Sequence, residues 1–185
     1  MSHTDVDPVQ TILELFQARG SSEYGGEAVT QEEHALQAAA CAMADGADDA
    51  LVAAALLHDI GHLLHDLPDD APYDGVDDHH ENSGGAFVEA HFGPEVCEPV
   101  RLHVAAKRYL TAVEPDYMAK LSEPSVTSLM LQGGPMSEEE QATFRANPHW
   151  EAALRLRRYD EEAKIPGAKT PTVADFTDLL RRLVR

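Results

Sequence analysis

The sequence predicts an all-α protein built as a single domain spanning residues 1–185. Apolar residues recur at helical spacing along nearly the whole chain, and no stretch alternates as a half-buried strand would. Glycine, proline and capping residues fall between these periodic segments, where short helices would start and stop. A chain of 185 residues, 43% of them hydrophobic, is long enough to enclose one core.

A first helix is expected from about Val9 to Gln17, ending before Arg19-Gly20, and Ser21 to Val29 with Gly25-Gly26 reads as a loop. Thr30 opens a second helix with Glu33 three positions on, the spacing of a capping box, and this helix runs to about Ala44. A third runs from Asp49 to about His65, with Leu51, Ala54, Ala55, His58 and His62 on related faces. The acidic stretch Asp66 to Gly75, interrupted by Pro68 and Pro72, ends it. Helices follow at about Asp78 to His91, Glu95 to Ala106, Pro115 to Leu121 and Ser125 to Leu131, the last broken by Gly133-Gly134-Pro135. Ser137 and Glu140 form a second capping box, starting a helix that ends near Asn147-Pro148. His149 to Lys164 is strongly helical, Pro166-Gly167 stops it, and Val173 to Arg185 closes the chain as an amphipathic helix. No internal repeat or low-complexity segment is present.

Charge narrows the function. With 14 Lys+Arg against 33 Asp+Glu the net charge is −19, which disfavours nonspecific binding to nucleic acid or anionic lipid. A small anionic substrate stays possible, because the field inside a pocket can oppose the global one. The longest apolar run, Ala50 to Leu57, is eight residues and too short to span a bilayer. The N-terminus MSHTDVDP is polar and acidic, unlike a signal peptide. A cytoplasmic protein with neither nucleic acid nor membrane as partner is expected. Cys41 and Cys97 form no CxxC unit and read as small core residues.

Ten histidines are present, several beside carboxylates on expected helices. His58-Asp59 ends an apolar helix, where a charged Asp is costly to bury without a partner. A metal ion supplies one, and imidazole with carboxylate suits iron, manganese or zinc. A buried His–Asp hydrogen bond explains the dipeptide equally well when it is taken alone. Helical neighbours point about 100° apart, so only one of His79 and His80 can face such a site. His62 lies one turn after His58 and reaches the same pocket as an acid or base. His3, His65, His91 and His149 read as surface or packing residues.

The order His34, His58-Asp59, His80, His103, Asp160 on successive helices resembles the HD-domain superfamily, an all-α bundle with its metal site at the centre. The two histidines between the HD pair and the last Asp mark its two-metal members. His80 is preferred over His79 because His80-Glu81-Asn82-Ser83-Gly84 matches the superfamily's H-E-x-x-[AGS]. Four imidazoles and two carboxylates give a ligand charge of −2, which favours a lower or mixed oxidation state over a fully oxidised pair.

Three further blocks are more specific: Tyr24-Gly25-Gly26-Glu27 leading to His34, His103 to Leu110 containing Lys107, and Leu121 to Met136 containing Ser125, Ser128 and Gln132. From about Glu14 to Lys164 the chain resembles the organophosphonate-degrading, mixed-valent di-iron oxygenases of that superfamily. The resemblance implies two iron ions, Fe2+ and Fe3+, as cofactors. One would be held by His34, His58, Asp59 and Asp160 and the other by His80 and His103, with Asp59 bridging. It implies oxygen-dependent cleavage of the C–P bond of 1-hydroxy-2-aminoethylphosphonate or its trimethylammonium analogue, through hydrogen abstraction from C1 by an iron–superoxo species. Products would be phosphate and glycine or glycine betaine. An Fe(II)/2-oxoglutarate hydroxylase would act upstream.

In that setting Lys107, Ser125, Ser128 and Gln132 would receive the phosphonate. Glu27 would meet the cationic end, and Tyr24 would cap the oxygen-binding iron until substrate arrives. On spacing alone Lys107 reads as a solvated surface lysine, and Tyr24 and Glu27 fit an ordinary polar loop. Primary amine and trimethylammonium are not distinguished: a quaternary ammonium is held by aromatic faces or carboxylate charge, and Tyr24, Tyr109 and Tyr159 are the candidate rings. The alternatives are an HD phosphohydrolase acting on a phosphomonoester or nucleotide, which leaves the Tyr24/Glu27 loop unexplained, and a regulatory module, which has no need of six ligands.

Overall fold

The computed structural model describes residues 7–64 and 77–185. Helices α1 (Pro8–Arg19), α2 (Gln31–Ala44), α3 (Asp49–Leu57) and α4 (Ile60–Leu64) precede the undescribed stretch. After it come α5 (His80–Glu89), α6 (Pro94–Val113), α7 (Tyr117–Lys120), α8 (Glu123–Leu131), α9 (Glu138–Ala146) and α10 (Trp150–Glu162). A 3₁₀ turn at Val173–Phe176 leads into α11 (Thr177–Leu183). The described residues contain no strand, only two isolated bridges, so the fold is the all-α class read from the sequence. No helix among them is long and apolar enough to cross a membrane.

Both expected capping boxes form. The Thr30 hydroxyl accepts from the Glu33 amide while Glu33 accepts from the Thr30 amide, and Ser137 and Glu140 do the same at α9. Helix α3 is apolar on every side, as a helix enclosed by others must be. Every residue from Ala50 to Leu57 is buried, with α2, α6 and α10 packed around it. Its far end therefore delivers whatever follows Leu57 into the middle of the bundle. Cys97 is buried in this core, while Cys41 is only half-buried at its margin.

Three helices depart from expectation, the closing one because its first turn, Val173–Phe176, is 3₁₀ and α11 ends at Leu183. The third expected helix is not continuous to His65: it breaks after Leu57 and resumes as α4. The His58 ring nitrogen Nδ1 takes up the Ala55 carbonyl at 2.8 Å, an acceptor that a continuing helix would offer to the Asp59 amide. Helix α6 runs seven residues past Ala106, to Val113, because its polar residues there find partners. Lys107 donates to Ser128, Arg108 to the Gly134 carbonyl and Glu140, and Thr111 to the Lys107 carbonyl. The stretch Asp66 to Gly75, with His3 and His65, lies outside the described residues.

Helices α4 and α5 meet through glycines. A Cβ on Gly61 would stand 2.1 Å from the His80 carbonyl oxygen, and one on Gly84 3.1 Å from the Gly61 amide nitrogen. This gives a steric reason for a small residue four places after His80. Gly61→Ala is expected to destabilise the protein by about 1–3 kcal/mol, since backbone rather than a flexible side chain must yield. Urea unfolding measures it, and an unchanged midpoint would mean that the seam can open freely.

Candidate metal centre

Six side chains from distant segments converge at the end of α3. His34 comes from α2, His58 and Asp59 from the break between α3 and α4, His80 from the start of α5, His103 from α6 and Asp160 from α10, and all six are buried. His79 is the exposed neighbour, at a left-handed φ of 50° before α5. The alternative that it faces the site is thereby excluded.

The ring orientations are fixed from behind. Nδ1 of His34 donates to the Ala163 carbonyl at 2.8 Å, that of His58 to Ala55 at 2.8 Å and that of His103 to Val100 at 2.6 Å. A carbonyl only accepts, so each Nδ1 carries the proton and each Nε2 points a lone pair inward. His80 reaches the same tautomer differently, through the Asp78 carboxylate at 2.8 Å. The inward atoms form two pairs, His34 Nε2 to His58 Nε2 and His80 Nε2 to His103 Nε2, each at 3.1 Å.

Asp59 lies between the pairs. Its Oδ2 is 3.4 Å from His34 Nε2 and 3.2 Å from His58 Nε2, while its Oδ1 is 3.3 Å from both His80 Nε2 and His103 Nε2. Asp160 joins the first pair only, with Oδ1 3.3 Å from His34 and 3.8 Å from His58. Lone pairs facing one another across 3.1 Å repel unless a cation or proton lies between them. Asp59 Oδ2 and Asp160 Oδ1 are buried with no hydrogen-bond partner, the situation a bound cation relieves. The groups His34/His58/Asp59 and Asp59/His80/His103 each bring their ligand atoms within 4.8 Å of one another. This donor set, nitrogen and oxygen without thiolate, fits two adjacent ions of the iron, manganese or zinc kind.

The electrostatics agree. Burial works against the charge on Asp59 and Asp160, but His58 beside the first and Arg157 beside the second hold both well below the usual carboxylate range. Burial likewise works against a proton on His58 and His80. The carboxylates of Asp59, Asp160 and Asp78 outweigh it and push both imidazoles up to about 10. Metal ions must displace such protons, so occupancy falls as the solution is acidified.

Around the centre stand residues that the sequence reading did not single out. Asp78 accepts from His80 through Oδ1 and lies 2.8 Å from His62 Nδ1 through Oδ2, so one carboxylate orients two imidazoles. Arg157 is buried, donates to the Tyr117 hydroxyl at 3.0 Å, and pairs with Asp160 Oδ2, leaving Oδ1 to face the histidines. Neither was singled out by periodicity, although Arg157 three before Asp160 is a spacing at which helical side chains meet, while Asp78 reaches His80 because it stands ahead of α5. Asp78→Asn is expected to weaken metal binding at His80 and His103 about 10–100-fold while sparing that at His34 and His58. Metal titration would resolve the two; equal weakening of both would remove Asp78 from this role.

The remaining expected site residues lie to one side. The Tyr24 ring stacks on His34 at 3.8 Å between centroids, and burial, then Asp59 and Asp160, raise its hydroxyl well above the ordinary tyrosine value. His62 stacks on His80 at 4.0 Å, and burial together with the nearby His80 lowers its pKa. Lys107 is buried, not the solvated surface lysine that spacing alone suggests, and its Nζ donates to Ser128 at 2.8 Å. Burial, then Arg157, depress that ammonium to about 7. Ser125 accepts from Lys164 Nζ at 2.9 Å, and Gln132 Oε1 is buried without a hydrogen-bond partner. Glu27 accepts from the Ser122 hydroxyl and lies 3.2 Å from Lys164 Nζ. Lys164, one turn beyond Asp160, is a third residue that the sequence reading missed.

Comparison with known proteins agrees with this arrangement. The HD-domain family model matches residues 32–175. The [1-hydroxy-2-(trimethylamino)ethyl]phosphonate dioxygenase (glycine-betaine-forming) of Leisingera caerulea is 42% identical over 176 residues, 95% of this chain and 90% of that protein. The hydroxymethylphosphonate dioxygenase of Gimesia maris is 44% identical over 177 residues, 95% of this chain and 88% of that protein. An uncharacterized protein of Acanthamoeba polyphaga mimivirus is 36% identical over 162 residues, covering 86% and 74%. A family match running through all six converging side chains, with relatives aligned nearly end to end, makes this chain a member of the HD-domain family, among proteins named as phosphonate dioxygenases.

Proposed function

We propose that the protein is a di-iron dioxygenase that cleaves the C–P bond of a 1-hydroxyphosphonate. The observation that carries this reading is the Asp59 carboxylate between two imidazole pairs with a buried lysine alongside, in a chain 42–44% identical to two phosphonate dioxygenases. His34, His58, Asp59 and Asp160 would hold one ion and His80 and His103 the other, with Asp59 in reach of both pairs. Bound iron supplies the activation of dioxygen and the one-electron chemistry at C1.

This chain's own residues bind and orient the substrate. Lys107, Ser125, Ser128 and Gln132 receive the phosphonate, the ammonium giving charge and the hydroxyls and amide giving direction. A buried unpartnered Gln132 Oε1 is suited to a protonated phosphonate oxygen or the C1 hydroxyl. Tyr24 stays protonated over His34 as a neutral donor that limits access until substrate arrives. His62 is neutral and held at Nδ1 by Asp78, which leaves Nε2 as its basic atom for accepting a proton near C1. The substrates implied by the sequence, 1-hydroxy-2-aminoethylphosphonate and its trimethylammonium analogue, share the C1 hydroxyl and phosphonate with hydroxymethylphosphonate. They differ only in what extends toward Glu27. A hydroxylase acting on the parent phosphonate is the class of reaction that supplies such a compound.

The test uses iron-loaded protein with these 1-hydroxyphosphonates and a phosphomonoester, following phosphate and dioxygen together. Phosphate from a hydroxyphosphonate, with matched oxygen uptake and none under anaerobic conditions, is expected. Oxygen-independent phosphate release from the phosphomonoester would replace this reading with the hydrolase.

A further inference from the structure

Glu27 already faces a cation of its own chain. Lys164 Nζ is surrounded by oxygens, at 2.9 Å from Ser125 Oγ, 3.3 Å from Ser122 Oγ, 3.2 Å from Glu27 Oε1 and 3.4 Å from Glu161 Oε1. Its side chain is 12% exposed and that of Glu27 14%, so water screens the pair weakly. A carboxylate that neutralises a lysine of its own chain has little field left for a second cation.

The other means of holding a quaternary ammonium, an aromatic cage, is also taken up. Tyr24, stacked on His34 until substrate arrives, is a single ring and not a cage. Tyr109 packs between Phe144 and Trp150 under the Arg145 guanidinium, and the Tyr159 hydroxyl donates to Asp45. The cations beside the proposed phosphonate-binding serines are Lys107 at Ser128 and Lys164 at Ser125, whereas Arg157 is paired to Asp160 and Glu161.

We infer that the Lys164–Glu27 pair makes this enzyme selective for 1-hydroxyphosphonates that carry no cationic group, the smallest being hydroxymethylphosphonate. Lys164 sits on Glu27 Oε1, the carboxylate proposed to meet the ammonium of a longer substrate, and its charge adds to that of Lys107 in attracting the phosphonate. The inference rests on the function proposed above and narrows its substrate. For hydroxymethylphosphonate the chemistry balances without another reductant: one dioxygen is consumed, the C–P bond breaks, and formic and phosphoric acids form. C1 is oxidised by four electrons, which reduce both oxygen atoms, and both atoms enter the products.

Two measurements on metal-loaded protein test it. Anaerobic calorimetry compares binding of hydroxymethylphosphonate and [1-hydroxy-2-(trimethylamino)ethyl]phosphonate, and oxygen-dependent phosphate release gives kcat/KM for each. The wild type is expected to favour hydroxymethylphosphonate at least tenfold in both. Lys164→Gln, which keeps a hydrogen-bond donor one atom nearer the backbone and frees the Glu27 charge, is expected to shift the ratio at least tenfold toward the cationic compound. A wild-type ratio below ten, or a folded Lys164→Gln protein with the wild-type ratio, overturns the inference. If that variant does not fold, the wild-type comparison decides alone. Binding preference without any oxygen-dependent turnover would leave the selectivity standing and sink the dioxygenase; absence of binding by either compound would sink both.

Discussion

Asp59→Asn protein is expected to lose both metal ions, the largest single effect that any of these side chains predicts. Each carboxylate oxygen faces a different imidazole pair, at 3.2 and 3.4 Å on one side and 3.3 Å twice on the other, so no other residue is shared in this way. Asparagine keeps the shape but removes the charge and turns one oxygen into an amide that cannot ligate as an anion. Asp160→Asn supplies the contrast. Asp160 touches only the His34/His58 pair, so that variant is expected to retain the ion held by His80 and His103. Metal analysis after gel filtration of the two iron-reconstituted variants reads the difference. Should Asp59→Asn keep two ions per chain, the shared-carboxylate arrangement is wrong.

Lys107→Met is expected to lower phosphonate affinity by about 30- to 1000-fold, roughly 2–4 kcal/mol for a buried charge-assisted contact. The same lysine makes binding pH-dependent. Its ammonium is depressed from 10.5 to about 7, burial being the main cause, so the empty site loses this charge as pH rises through about 7. Affinity for a phosphonate that is already a dianion should decline from there upward, and Lys107→Met should show little of that decline. Stability moves the other way. Between about 7 and the ordinary lysine value the unfolded chain holds a proton that the folded chain does not, so this group makes folding more favourable as pH rises across that window. The methionine variant should lose that slope without losing stability, because a buried amine is replaced by an apolar chain of similar length. Calorimetric titration and urea unfolding on either side of pH 7 check both halves. Unchanged phosphonate affinity in Lys107→Met would remove Lys107 from the anion site.

Much of this protein is legible in one dimension because its helices are local. Thr30 and Ser137, each with a glutamate three residues on, form the capping boxes their spacing suggests, and the apolar run from Ala50 to Leu57 is the interior helix. The converging histidines and aspartates are also legible, since a buried histidine or aspartate at the end of an apolar segment needs a partner. The break after Leu57 was not, because it depends on the tautomer and reach of His58, a property of one side chain rather than of a period. Nor was the burial of Lys107, which needs the Ser128 hydroxyl of another helix to satisfy it.

The sequence by itself determined an all-α chain, most of its helices, and a histidine–aspartate set expected to converge. Tertiary structure decided which oxygen of Asp59 faces which imidazole pair, that Asp78 rather than a backbone carbonyl orients His80, and that Lys164 shares the neighbourhood of Glu27. The physical reason is range. Caps and helical periodicity are set over a few residues by the backbone itself, whereas Glu27 and Lys164 lie 137 positions apart and meet only because α2, α3, α6 and α10 enclose one core.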